Sequence, residues 1–316
     1  IRFNFSTCRR CFWLAINIFT LYLILKIYIM KKILSLSVFT LLLSCEQTST
    51  PSKLTEKFSF PKNLKEVSGI YYSNNSQSIW AIEDSGNENE IYALDSTGNI
   101  LKTIQITDIE NIDWEDITQD KTGNIYIGDF GNNDNDRKNL AIYQILASNT
   151  NEKEVETSKK ISFYYPEQTD FPAKKKDLFY DCEGFFELNN NFYLFTKNRS
   201  KNFDGTTLLY KIPNEAGNHA AKLIGKFTAC NEDKVCAITS IAISPDEKKV
   251  ALLTHKKVWI LSDFTSDDFT KGKSTEIDLN HLSQKEAITF KNNTTLLIAD
   301  EKVKKEGGNL YEFKLN

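Results

Sequence analysis

The chain has 316 residues, 39 basic and 42 acidic, with a net charge of −3, 12% aromatic and 26% charged side chains. That composition supports a sizeable core in one large or two ordinary domains. It excludes a disordered, collagenous or disulfide-dense scaffold and leaves no bulk excess of positive charge for nucleic acid.

Met30 is the only methionine, followed by Lys31, Lys32 and an apolar run from Ile33 to Leu43 that ends in Leu42-Leu43-Ser44-Cys45. A basic start and a run of this length read as a secretory signal peptide. The ending resembles the lipobox of bacterial lipoproteins, which implies a lipid anchor on Cys45. Residues 1–29 then read as upstream translation. Phe12 to Ile29 approaches spanning length, so a transmembrane helix is the rival reading. The first 45 residues hold six basic side chains and no acid, so the remainder carries 33 basic and 42 acidic groups, net −9. That balance argues against binding phosphate backbones or anionic membrane surfaces. Residues 46–57 are polar and read as a tether. The expectation is a signal at 30–45, a tether at 46–57 and a domain at 58–316. It is a monomer held by its lipid on the bacterial envelope, at the outer membrane.

The domain repeats. Five times an apolar strand, a polar turn and a second apolar strand follow one another. The copies open at Ser68-Gly69-Ile70, Glu115-Asp116-Ile117, Glu183-Gly184-Phe185, Thr239-Ser240-Ile241 and Glu286-Ala287-Ile288. Turns such as Asp120-Lys121-Thr122-Gly123 and Asn189-Asn190-Asn191 mark each pair as a hairpin. A third, aromatic-bearing strand follows each hairpin, as at Ile91-Tyr92 and Val258-Trp259. Fourth strands are expected at 101–106, 160–165, 223–228 and 275–279. Self-similar four-stranded antiparallel units at intervals of 47, 68, 56 and 47 residues point to an all-β fold, a β-propeller. Five blades are counted, with a degenerate sixth in 145–180 as the alternative. The fifth copy lacks a fourth strand, and Glu56 to Phe60 can supply it, covering an edge.

Propeller geometry brings the residues before strand one and after strand two to one face around the axis. That face receives Ser68, Glu83, Asp84, Glu115, Asp116, Asp129, Asp181, Glu183, Lys197, Arg199, His255, Glu286, Asp300 and Glu301. Crowded carboxylates have raised pKa values unless a cation compensates. Oxygen-only ligands suit Ca²⁺ or Mg²⁺ rather than zinc. The expected metal set is Glu115, Asp129, Glu183, Glu286 and Asp300, with Lys197, Arg199, His255 and Ser68 binding a ligand. Hydration of a channel mouth and capping of backbone amides are the structural alternative. Trp80, Trp114, Tyr126, Tyr193 and Trp259 read as blade packing.

Other motifs carry less. The acidic run Asp129 to Asp136 lacks the glycine and distal glutamate of an EF-hand loop, and there is no nucleophile elbow or zinc-protease motif. Cys230 and Cys236 flank five residues where one blade crosses to the next. An envelope compartment allows a disulfide there, with two free thiols as the other reading. Cys182 has no obvious mate.

Asp113-Trp114-Glu115-Asp116-Ile117, Gly128-Asp129-Phe130-Gly131-Asn132-Asn133 with Arg137, Asp181-Cys182-Glu183-Gly184-Phe185, and Glu286-Ala287-Ile288 with Ala299-Asp300-Glu301 resemble bacterial propellers of the phytase-like esterase and SdiA-regulated (YjiK-like) families. The resemblance covers about residues 60–316. Its phytase side implies calcium-assisted phosphoester hydrolysis, with Glu115, Glu183, Asp129, Glu286 and Asp300 as ligands and Lys197 or Arg199 on phosphate. The chain departs at Ser68 and Thr239, where two further acids are expected. The first functional expectation is an envelope propeller that binds a small ligand or an envelope protein at an acidic mouth, with a divalent cation. A metal-dependent phosphoesterase or lactonase-like hydrolase is the second, and a structural envelope module the third.

Overall fold

The computed structural model describes residue 26 and residues 54–315. The chain divides into two units, Ile1–Pro51 and Ser52–Asn316, and only the second is considered below. The signal segment 30–45, Cys45 and most of the tether lie outside the described residues. Among the described residues no helix is long and apolar enough to cross a membrane.

The first strand, β1 (Thr55–Ser59), starts three residues before the boundary expected from the sequence. Blade 1 follows as β2 (Val67–Ser73), β3 (Ser78–Glu83), β4 (Glu90–Leu94) and β5 (Ile100–Ile106). Blade 2 takes β6 (Trp114–Gln119), β7 (Ile125–Asp129) and β8 (Ala141–Ile145). The two-residue β9 (Glu154–Val155) turns back to pair in parallel with β5, and β10 (Lys159–Tyr164) then completes the four strands of blade 2. Blade 3 is β11 (Asp181–Leu188), β12 (Asn191–Lys197) and β13 (Thr206–Pro213). Its next strand, β14 (Gly217–Ala220), lies parallel on β10, and β15 (Lys222–Thr228) closes blade 3. Blade 4 is β16 (Ser240–Ile243), β17 (Lys249–Leu253), β18 (Lys257–Ser262) and β19 (Lys273–Asp278). Blade 5 is β20 (Lys285–Asn292), β21 (Thr295–Asp300) and β22 (Asn309–Lys314), with β1 antiparallel on β22.

The fold is therefore a five-bladed propeller closed by its N-terminal strand. Two expectations need correction. No sixth blade exists in 145–180: β9 is too short to found a sheet, and 165–180 runs as a loop tied to Asn135. Gln168 and Ala173 donate to the Asn135 carbonyl, and the Tyr180 amide donates to its side chain. The blades are also not uniformly four-stranded and antiparallel, because β9 and β14 each add a parallel fifth strand to the preceding blade.

Local chemistry explains the turns. Asp95-Ser96-Thr97-Gly98-Asn99 and Asp120-Lys121-Thr122-Gly123-Asn124 share one pattern. In both, the aspartate Oδ1 accepts from the amides two and four residues on, and the glycine sits at φ near +90°. A left-handed φ is where glycine is strain-free. Packing follows the same repetition. One apolar cluster fills each of the five interfaces between neighbouring blades, and the innermost strands β2, β6, β11, β16 and β20 touch in a closed ring. Trp80, Trp114, Tyr126, Tyr193 and Trp259 are buried in these clusters. A disulfide joins Cys230 to Cys236 in the crossing from blade 3 to blade 4, and Cys182 is buried and free.

Candidate functional site

The mouth is built by a repeated irregularity. In blades 1, 2, 3 and 5 the innermost strand slips register against its neighbour at one residue near its start. That residue is Ser68, Glu115, Glu183 or Glu286. A bulge leaves one side chain out of the ladder and re-aims it. Glu115, Glu183 and Glu286 are thereby brought to the axial mouth. Ser68 is not available to a ligand: it is buried and donates to the Trp114 carbonyl at 2.7 Å. Thr239, its counterpart in blade 4, donates to the Lys285 carbonyl at 2.7 Å. The two hydroxyls therefore fasten a blade to the residue just before the next blade's glutamate.

At the ends of the second strands two successive positions part. Glu83, Asp129, Thr196, Thr254 and Asp300 share one register position, and all five are buried. Their side chains accept from backbone amides. Asp300 accepts from the Asn309 amide at 2.8 Å and from Tyr311, while Asp129 accepts from the Asp113 amide at 3.2 Å and from Arg137 at 2.8 Å. Asp129 and Asp300 thus stand behind the mouth. A strand's side chains alternate faces, so a shift of one residue changes the face entirely. The following position supplies Asp84, Lys197, His255 and Glu301. In blade 2 it is Phe130, which turns into the core.

Two more acids, Asp113 from the loop before β6 and Asp181 at the first position of β11, complete the site. The carboxylate oxygens of Asp84, Asp113 and Glu115 lie within 4.8 Å of one another, as do those of Glu115, Asp181 and Glu183. The two triads share Glu115. Gly131 lines this space: a Cβ there would overlap the Glu115 and Asp113 carboxylates.

Positive charge is unequally shared. Lys197 Nζ lies 2.9 Å from Glu183 Oε2, and Arg199 pairs with both Asp181 and Glu183. His255 Nε2 meets Glu286 Oε1 at 3.0 Å. On the other side Arg137 reaches Asp113 only at 4.0 Å. Burial, then the charges of Glu183 and Asp181, push Glu115 well above the ordinary carboxylate range. Burial and Asp84 push Asp113 up to about 7. Burial and Glu286 push Glu301 up to about 8. Asp84 and Glu183 are raised chiefly by burial. Two acids go the other way. Burial raises Asp181, but Arg199 holds it below its ordinary value; Lys197 and His255 do the same for buried Glu286.

Asp84, Asp181 and Glu301 belong to the mouth face expected from the sequence, although not to the expected metal set. Asp113 was missed as a site residue, and Lys285 as a buried charge behind the mouth. Asp113 lies in a loop without periodicity. Lys285 shares its register position with buried Val67, Trp114 and Cys182. It is itself fully buried, donating to the carbonyls of His255 (3.1 Å) and His281 (2.7 Å) and to Ser283 Oγ (2.8 Å). Burial brings its pKa down to about 8. Asp116, also expected at the mouth, sits deeper in the channel, where its carboxylate accepts from the Phe185 amide of blade 3 at 3.1 Å.

Residues 53–170 match the sequence profile of the SdiA-regulated family. No curated protein sequence matches the chain. Among solved structures, a gluconolactonase from Xanthomonas campestris is 8% identical, with a TM-score of 0.46 over 84% of this chain and 90% of that one. A chain of a nidogen/laminin complex is 10% identical, with a TM-score of 0.44 over 79% and 84%. A catalytically inactive virginiamycin B lyase from Staphylococcus aureus, with quinupristin, is 14% identical, with a TM-score of 0.39 over 79% and 66%.

Proposed function

We propose that this SdiA-regulated-like propeller is an envelope binding protein whose acidic mouth holds a divalent cation, Ca²⁺ by donor chemistry, and through it an oxygen-rich anionic ligand. The observation that carries this reading is the pair of carboxylate triads sharing Glu115. The donor set fits: it is all oxygen, comes from three blades, and includes carboxyls raised by burial and by mutual repulsion. A bound cation would offset that repulsion and present positive charge at the opening. Within the mouth, Arg199, 32% exposed, and His255 are the protein's own groups facing an anion. The lipid on Cys45 would hold the domain at the bacterial envelope. Calorimetric titration of Ca²⁺ into the chelator-treated full-length protein in detergent tests the reading: saturable binding, weakened in Glu115→Gln, supports it, and no heat at millimolar Ca²⁺ ends it.

A metal-assisted hydrolase of phosphoesters or lactones is the second reading. It is favoured by Asp113 and Glu301, raised to about 7 and about 8, where a carboxyl can give and take a proton at neutral pH. Loss of phosphoester or lactone hydrolysis in Asp113→Asn and Glu301→Gln is its signature. Absence of hydrolysis in the native protein counts against it.

A further inference from the structure

The axis has a second concavity, on the face opposite the mouth. Two positions beyond Ser68, Glu115, Glu183, Thr239 and Glu286, every innermost strand carries a large apolar side chain: Ile70, Ile117, Phe185, Ile241 and Ile288. These five stand at the inner end of a cavity of about 200 Å³, enclosed by the innermost strands of all five blades and their hairpin turns. Most of its polar side chains are satisfied. Asp120 commits both carboxylate oxygens to its own turn and to Tyr126. Lys121 is paired with Glu247, which ties blade 2 to blade 4 although the two are not neighbours.

Two groups are left over. Glu187 Oε1 accepts from the Asn190 amide at 2.7 Å, but its Oε2 has no partner among the described residues. Burial raises this carboxyl above its ordinary value, as it does for a charge without a full counter-ion. Thr118 is 6% exposed, yet its hydroxyl makes no hydrogen bond within the described residues and is not closed over by packing. It therefore opens on the cavity that Thr118 lines. A buried hydroxyl left unpaired is unfavourable unless something outside the chain supplies the bond. Side chains alternate along a strand. Ile117 packs towards blade 1, so Thr118 turns to blade 3; Phe186 packs towards blade 4, so Glu187 turns to blade 2. The free hydroxyl and the free carboxylate oxygen thus belong to the same side of the cavity, between blades 2 and 3.

We infer that this cavity is a second binding site, separate from the mouth, for a small primary amine. Its ammonium is held by Glu187 and Thr118, and its aliphatic or aromatic body lies against the isoleucines and Phe185. A carboxylate beside a hydroxyl selects a cation rich in N–H donors, and apolar walls select a ligand with an apolar body. The volume equals that of about seven waters, room for one ring or a short alkyl chain. The site does not depend on a metal at the mouth.

Titration calorimetry of the full-length protein in detergent with phenethylamine tests the inference. Phenylethyl alcohol is the probe of equal size without charge, and circular dichroism follows the folding of each variant. The expected result is saturable binding of the amine, weakened about 10–100-fold in Glu187→Gln and about 2–10-fold in Thr118→Val. Gln keeps an acceptor for Asn190 and loses the charge; Val keeps the shape and loses the hydroxyl, and it carries the test should Glu187→Gln not fold. The alcohol should bind about 10–100-fold more weakly than the amine. Heat that does not saturate at millimolar amine overturns the inference, as does equal affinity in the native protein and the variants, or an alcohol that binds as tightly as the amine. Binding that persists in Glu187→Gln and is lost in Glu115→Gln places the amine in the mouth and overturns it too.

Discussion

Phe58→Ala should be among the most damaging single changes in the domain, although it lies in a strand whose other residues are exposed. Phe58 is 9% exposed and meets Phe60 edge-on with ring centroids 5.5 Å apart. Its ring packs so closely on Gly98 that a Cβ there would overlap it. Its cluster joins Ile70, Tyr92 and Leu94 of blade 1 to Leu297 and Leu310 of blade 5. Removing a buried Phe costs about 3–5 kcal/mol, against roughly 5–15 kcal/mol for a whole domain. At about 2–4 °C per kcal/mol for a domain of this size, the melting temperature should fall by about 6–20 °C. Urea denaturation followed by tryptophan fluorescence gives the value, with Lys57→Ala as the exposed neighbour that should stay within about 0.5 kcal/mol. A loss below about 1 kcal/mol for Phe58→Ala would show that β1 does not lock the ring.

Gly131→Ala should weaken Ca²⁺ binding by about 10–100-fold, the range for changes beside metal ligands, while strand content is kept; an unchanged titration would refute the cradle. In chelator, the melting temperature should fall as pH rises from about 5 to 9. The raised acids Glu115, Glu183, Asp113 and Glu301 keep protons that the unfolded chain releases near pH 4, so their stabilising effect is full below that pH and is lost through about 7 and about 8. Asp181 and Glu286, which are lowered, give stability that is lost only on acidification, so a melting temperature rising from pH 5 to 9 would contradict the assignment. Lys285→Met should cost about 1–3 kcal/mol in urea denaturation, because it removes the ammonium's bond to the His281 carbonyl and leaves the His255 carbonyl only the Ser283 amide; a neutral result would mean water replaces the ammonium. Cys45→Ala should shift the protein from the membrane to the soluble fraction, and continued sedimentation with membranes would refute the lipid anchor.

The blades were legible because each is a local pattern. Polar turns, apolar runs and aromatic third strands recur at intervals that the chain itself displays, and even the outer strands fall within two residues of their expected ends. The mouth was legible only in part. Glu115, Glu183 and Glu286 stand out because an acid opens an apolar strand. Choosing between Asp300 and Glu301, or between Asp129 and Asp84, requires knowing which face each strand end turns to, and the bulges set that register. Ser68 and Thr239 looked like gaps in a ring of acids; only the neighbouring blade's carbonyl shows them to be fasteners. Asp113 is close to the other acids through folding alone. The parallel additions β9 and β14 escaped notice because pairing across blades leaves no period in the sequence.

The closing strand also bears on how the molecule is made. Ser59 pairs beside Asn309, a partner 250 residues further along the chain. During synthesis β1 must therefore wait, unpaired, until every blade has formed. A bare edge strand held that long invites pairing with other molecules. Thr55-Glu56-Lys57-Phe58-Ser59 carries two charges and a single apolar side chain, too few to stick to a stranger. It becomes adhesive only when Gly98 and the rings of blades 1 and 5 are in place to receive Phe58, so the ring can close late without aggregating early.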